Sequence, residues 1–129
     1  MEIAIKDETL SGVSYEVMSL YFKTELVSIR EIITQRVLKE VGAYNQKLDG
    51  VFSGLVQPAD AEKVLNAYQV KPKKPIDGKR QVEIALDAFQ RNVFFVLVDD
   101  KQFEHLEDEI IVANTTSISF IKLTPLVGG

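Results

Sequence analysis

Residues 1–44, MEIAIKDETLSGVSYEVMSLYFKTELVSIREIITQRVLKEVGAY, read in order as a strand, a turn, a second strand and a helix. Met1, Ile3 and Ile5 alternate with Glu2, Ala4 and Lys6, the period of a strand with one buried face. Asp7 to Gly12 supplies turn chemistry. Ser14 to Phe22, rich in aromatic and β-branched residues, fits the second strand of an antiparallel hairpin, and its pattern leaves open which alternating set faces inward. Ser28-Ile29-Arg30-Glu31 fits a capping box, in which a serine hydroxyl accepts from the backbone N–H three residues on. Ile29, Ile32, Ile33, Val37 and Val41 then recur at three- and four-residue spacing, the stripe of a helix that ends near Gly42–Tyr44 and lays one apolar face on the sheet.

The pattern weakens after Tyr44. Gly50, Gly54 and Pro58 interrupt it, and Ala61, Val64, Leu65 and Tyr68 predict a short helix over Ala59–Tyr68. A Pro-broken basic loop, Val70 to Gly78, leads to a further helix over Lys79–Arg91, where Val82, Ala85, Leu86 and Phe89 share a face. Val93–Val98 (VFFVLV) is an unbroken apolar run of the kind that buried strands show. Asp99 to Gln102 reads as a turn, Phe103 and Leu106 as residues packing back on the core, Ile110–Ala113 as a short strand and Thr115–Leu123 as a better one. Phe89, Phe94 and Phe95 read as core.

The composition suits one ordinary folded domain: 129 residues, 46% hydrophobic and 26% charged. With no cysteine, disulfides, thiolate nucleophiles and sulfur-ligated zinc are excluded, and the single histidine, His105, is too few for a nitrogen-rich metal site. A net charge of −4 argues against nucleic acid as a partner. No apolar run approaches the ~20 residues of a membrane-spanning helix, and MEIAIKDE lacks the order of a signal peptide, so no membrane partner and a cytoplasmic location are expected.

A hairpin, a long helix, a further strand, a turn and a final strand make an α+β domain with one shared core. The chain ends Phe120-Ile121-Lys122-Leu123-Thr124-Pro125-Leu126-Val127-Gly128-Gly129. With the element order, this ending resembles the β-grasp proteins: ubiquitin and the small sulfur carriers, such as the thiamine carrier and the small subunit of molybdopterin synthase. Val96 to Glu109 is similar to their strand, turn and short return. The resemblance covers about residues 1–44 and 93–129, and it is nearest to the ubiquitin-like proteins of bacteria. It implies a single β-grasp domain over residues 1–129, with one main crossover helix, a largely helical insertion over about 45–92 and a flexible tail at 124–129.

What the resemblance implies about function follows from the terminus. In that family the protein is not an enzyme and holds no cofactor. A partner activating enzyme uses ATP to adenylate the terminal carboxylate, here that of Gly129 after Gly128, and a nucleophile then attacks the acyl carbon. Glycines suit a narrow channel because they carry no Cβ, and Pro125 fixes φ and helps to end the strand. In one version the terminus is joined to a target protein, with a conjugating enzyme and a deconjugating protease as further partners. In the other it becomes a thiocarboxylate that donates sulfur. Ile121, Leu123, Pro125, Leu126 and Val127 are the expected docking residues for the activating enzyme, since a strand with Ile118 and Phe120 inward leaves the apolar residues after it no core to join, and the alternative is that Leu123 and Leu126 fold back on the body.

Lys71, Lys73 and Lys74 sit in the basic loop and are candidate acceptor lysines, although a solvated loop explains them as well. Glu104, Glu107, Asp108 and Glu109 read as a solvated acidic face rather than a metal site, and His105 among them as a surface residue. A β-grasp interaction module working by surface contacts alone is the rival from another class. An enzyme is the weakest reading, because nucleophile, base and orienting group do not come together in any recognisable pattern.

Overall fold

A computed structural model describes residues 1–48, 52–59, 62–64, 67–69 and 74–123. The elements are β1 (Glu2–Glu8), β2 (Ser14–Tyr21), β3 (Leu26–Ser28), α1 (Ile29–Lys47), β4 (Glu62–Val64), β5 (Ala67–Gln69), α2 (Gly78–Gln90), β6 (Phe94–Val98), β7 (Lys101–Phe103), β8 (Glu109–Ile111) and β9 (Ile118–Lys122). The protein is therefore a mixed α+β fold, in which the chain divides into two compact units.

The first unit comprises Met1–Ile32 and Ala88–Leu123. Its sheet has the order β2-β1-β9-β6-β7, with β1 and β9 parallel and the other neighbours antiparallel. The alternation of β1 places Ile3, Ile5 and Asp7 on the buried face, so Asp7 belongs to the strand and not to the turn expected from its sequence. The turn is Thr9–Val13. Thr9 Oγ1 accepts from Val13 N at 3.0 Å, and Gly12 takes φ 95°, which residues with a Cβ rarely adopt. Ile5 pairs with Met18 and Lys6 with Glu16, so Val17 is an extra residue that bulges β2. On the core side Ile118, Phe120, Phe94, Val96 and Val98 are buried, and Phe94 packs against Phe120 and Phe89 with ring centroids 5.9 and 5.8 Å apart.

The β6–β7 turn is tighter than its sequence suggests. Asp99 and Asp100 alone form it, with φ 50° and 66°, the twist that suits a two-residue hairpin. Lys101 and Gln102 therefore lie in a strand instead. Asp99 also ties this turn to the approach of β9: its Oδ1 accepts from Ser117 N at 2.9 Å and its own N donates to Ser117 O at 2.8 Å. Asp99→Ala should cost about 1–2 kcal/mol, combining the lost acceptor with a positive φ, whereas Asp99→Asn should cost under about 0.5 kcal/mol. Denaturant midpoints check the contrast.

The start of α1 follows its capping signal. Ser28 Oγ accepts from Glu31 N at 3.1 Å, while Ile29 N and Arg30 N donate to the carbonyls of Asp108 and Leu106 at 2.9 Å each. The two-stranded ribbon of β3 and β8 leads into this start, pairing the buried Val27 with the buried Ile110.

The second unit contains residues 33–87. On α1, Ile33, Val37 and Val41 are buried as their spacing predicts. The helix passes Gly42 and continues to Lys47, closing where Leu48 N donates to Tyr44 O at 2.8 Å and Leu48 takes φ 52°. Later residues hold the added turn: Tyr44 meets Phe52 edge-on at 5.5 Å, and Asn45 exchanges two hydrogen bonds with the backbone of Ile76, at 2.9 and 2.8 Å. Gly42 is exposed, and a Cβ there would meet nothing within 4 Å. Gly42→Ala should therefore stabilise the protein by about 0.5–1 kcal/mol, a gain that thermal unfolding would register.

Arg36, 1% exposed, pairs with Glu40 at 3.3 Å, and Glu40 Oε1 accepts from Leu55 N at 3.1 Å. Asp77 caps α2 by accepting from the backbone N–H groups of Lys79 and Arg80. The helix expected over Ala59–Tyr68 is not formed. Glu62–Val64 and Ala67–Gln69 are instead antiparallel strands, so among the described residues of 45–92 the expected largely helical insertion is corrected to the end of α1, a pair of short strands and α2. Four apolar residues in so short a run fit a helical stripe and two short strands equally well, and pairing between the strands decides.

Candidate functional site

The expected site lies where the chain leaves β9. Gly128, Gly129, Pro125, Leu126 and Val127 lie outside the described residues, as do Lys71 and Lys73. Ile121 and Leu123 are described, and Lys74 is exposed.

β9 occupies the middle of the five-stranded sheet. Its parallel pairing with β1 ends at Glu8 and Ile121, and its antiparallel pairing with β6 ends at Phe94 and Lys122. Leu123 N then donates to Val93 O at 3.3 Å. The exit from β9 thus shares one end of the sheet with the β1–β2 turn and the start of β6.

Strand alternation puts Ile121 on the face opposite the core. It pairs there with Phe95 on β6 and Glu8 on β1, while Ser119, one row back, pairs with Leu97 and Lys6. Ile121, Phe95 and Leu97 are half-buried, and Leu123 is also half-buried. In the turn at the same end of the sheet, Leu10 is 73% exposed and Val13 59%. Phe95 is therefore not the core residue its sequence predicts. Phe94 and Phe89 are buried, but Phe95 faces the other way, because an all-apolar strand has two faces and only one meets the core. Phe95 and Leu97 extend the apolar surface around Ile121. Their signal was the apolar run VFFVLV, which does not say which alternate residues face outward.

Of the acidic stretch, Glu104 and Glu107 line a separate, open groove of about 660 Å³ together with His105, Leu106, Arg30, Gln90 and Asn92. Arg30 donates to Glu107 through Nε and Nη2 at 2.8 and 2.6 Å. His105 is exposed, and its backbone N donates to Asp108 Oδ2 at 3.3 Å. The lining offers no hydroxyl or thiol nucleophile. Among the described residues, no three His, Asp or Glu side chains come together as a metal site, and no helix is long and apolar enough to cross a membrane. Comparison of the chain with protein-family models, with curated proteins and with solved structures gives no match.

Proposed function

We propose that the chain is a ubiquitin-like modifier of the β-grasp type. The α-carboxylate of Gly129 attacks the α-phosphorus of ATP in a partner activating enzyme, giving an acyl adenylate and pyrophosphate. A nucleophile of the partner attacks the acyl carbon and AMP leaves; an amine of a target protein then attacks the same carbon, the partner's nucleophile leaves with the amine's proton, and an amide bond remains. The side chains of this protein take no part in the bond changes; they present the terminus and dock the enzyme.

The observation that carries the reading is the place of β9. The strand that precedes Thr124 to Gly129 lies beside β1, parallel to it and at the sheet's centre, an order shared with β-grasp domains. A central strand is held on both edges, so a chain leaving it has a fixed origin. The half-buried Ile121, Phe95 and Leu97, with the exposed Leu10, supply an apolar surface at the same end, of the kind used in docking.

The test is to add the purified protein, ending at Gly129, to an extract of its native host with and without ATP. The reading expects higher-mass adducts that appear only with ATP. A product of the same chain with one oxygen replaced by sulfur would assign the sulfur-carrier role instead. Binding to partners with no covalent product under any condition would assign a non-covalent module.

A further inference from the structure

Two neighbouring rows on the inner face of the sheet are apolar up to their last member. On β1 the row is Ile3, Ile5, Asp7, and on β9 it is Ile118, Phe120, Lys122. Both rows end in an ionisable side chain at the end of the sheet where the chain leaves β9, and the two charges are opposite. Asp7 is 3% exposed, and Lys122 Nζ stands 4.0 Å from its Oδ2. A buried carboxylate is costly unless it is paired, so packing alone does not select Asp7 after two isoleucines.

Backbone pairing gives out at the same place. The ladder between β1 and β9 stops at Ile121, one residue before Lys122. On the β6 side, the bond from Leu123 N to Val93 O is 3.3 Å, just beyond the usual range of about 2.7–3.2 Å for N–H to carbonyl oxygen. The Lys122 side chain therefore continues toward β1 a connection that the backbone has already ended.

From this geometry we infer that Asp7 and Lys122 are positioning residues, whose ion pair pins the end of β9 and fixes the point from which the C-terminal segment starts. The consequence for function rests on the modifier reading. The seven residues Leu123–Gly129 reach at most about 23–25 Å when extended, and that reach starts from a defined point only while Lys122 stays in place. A carboxylate presented from a fixed root loses less freedom on entering an activating site.

Amide hydrogen exchange on the whole protein tests the pair. Lys122→Met keeps the apolar stem and removes the charge, Asp7→Asn keeps the shape and removes the opposite charge, and Lys122→Arg keeps the pair. In the first two variants the amides of Ile121, Lys122 and Leu123 should exchange about tenfold faster, while those of Ile5 and Val96 keep their protection. Lys122→Arg should restore the native rates. Unchanged exchange at all three amides, or an equal loss throughout the sheet, overturns the inference.

A second arm measures ATP-dependent adduct formation at limiting host extract. It should fall by a similar factor in Lys122→Met and recover in Lys122→Arg. Faster exchange with undiminished adduct formation overturns the positioning role. If the unaltered protein forms neither adduct nor thiocarboxylate, the modifier reading fails, and the exchange rates still decide whether the pair pins β9.

Discussion

Phe120→Ala is expected to lower the free energy of unfolding by about 3–5 kcal/mol. The side chain is fully buried on the central strand, opposite Asp7 on one side and Val96 on the other, and its ring packs on Phe94. Removing it leaves a void between two rows that cannot close without moving strands, so the cost includes a cavity as well as lost transfer energy. Against the ~5–15 kcal/mol of a typical domain, this brings the variant close to unfolding at ambient temperature. Denaturant titration should show a lower midpoint at unchanged slope. Ile121→Ser, one residue on and facing the other way, should cost less than about half as much, because Ile121 is only half-buried. Equal costs would show that the two faces of β9 are assigned wrongly.

Deleting Gly129 is expected to abolish the ATP-dependent product outright while leaving the unfolding midpoint unchanged. The proposed chemistry places the reacting carbon on that residue, and moving the carboxylate back by one residue shortens a reach that is already limited to about 3.3–3.6 Å per residue. Appending a single alanine after Gly129 should have the same effect for a different reason, since it puts a Cβ next to the reacting carboxylate. Mass spectrometry of host-extract reactions, run beside the unaltered chain, reads both variants. Full product from either would move the reactive centre away from the C-terminus. Product lost from Ile121→Ser while the variant remains folded would place the docking surface on the outer face of the sheet.

The parts of the fold legible in the sequence are those with enough residues to show a period. β1, α1, α2, β6 and β9 each announce themselves through alternation, a stripe or an apolar run, and Ser28 marks where α1 begins. Three-residue strands such as β3, β7 and β8 are too short to carry a period of their own, and of these only β8 showed, overlapping the expected strand Ile110–Ala113 at Ile110 and Ile111. The pairing of β1 with β9 joins the two ends of the chain, which local pattern does not encode. Gly42 looked like a helix stop, yet its cost of about 1 kcal/mol is outweighed once Tyr44 and Asn45 find partners beyond it.

The candidate site was legible to a different degree. The Gly-Gly ending and the apolar residues before it are plain in the sequence, as is the strand that precedes them. The role of the opposite face was not. Phe95 and Leu97 lie in a run where every residue is apolar, and only the register Phe95 with Ile121 shows that they border the exit of the chain. Asp7 was equally hidden, since an Asp followed by Glu-Thr-Leu-Ser-Gly carries every mark of a turn until its partner Lys122 is placed beside it.

The most direct measurement uses the lysine that ends β9. Trypsin cuts after Lys122, so a conjugated chain leaves the branch Leu123-Thr124-Pro125-Leu126-Val127-Gly128-Gly129 on the acceptor lysine of its target. A tryptic digest of the native host should contain peptides that carry this branch in an amide bond through Gly129. Finding the peptide only as a free, unmodified carboxylate, or finding that the native chain continues past Gly129 without being trimmed there, would contradict the proposal.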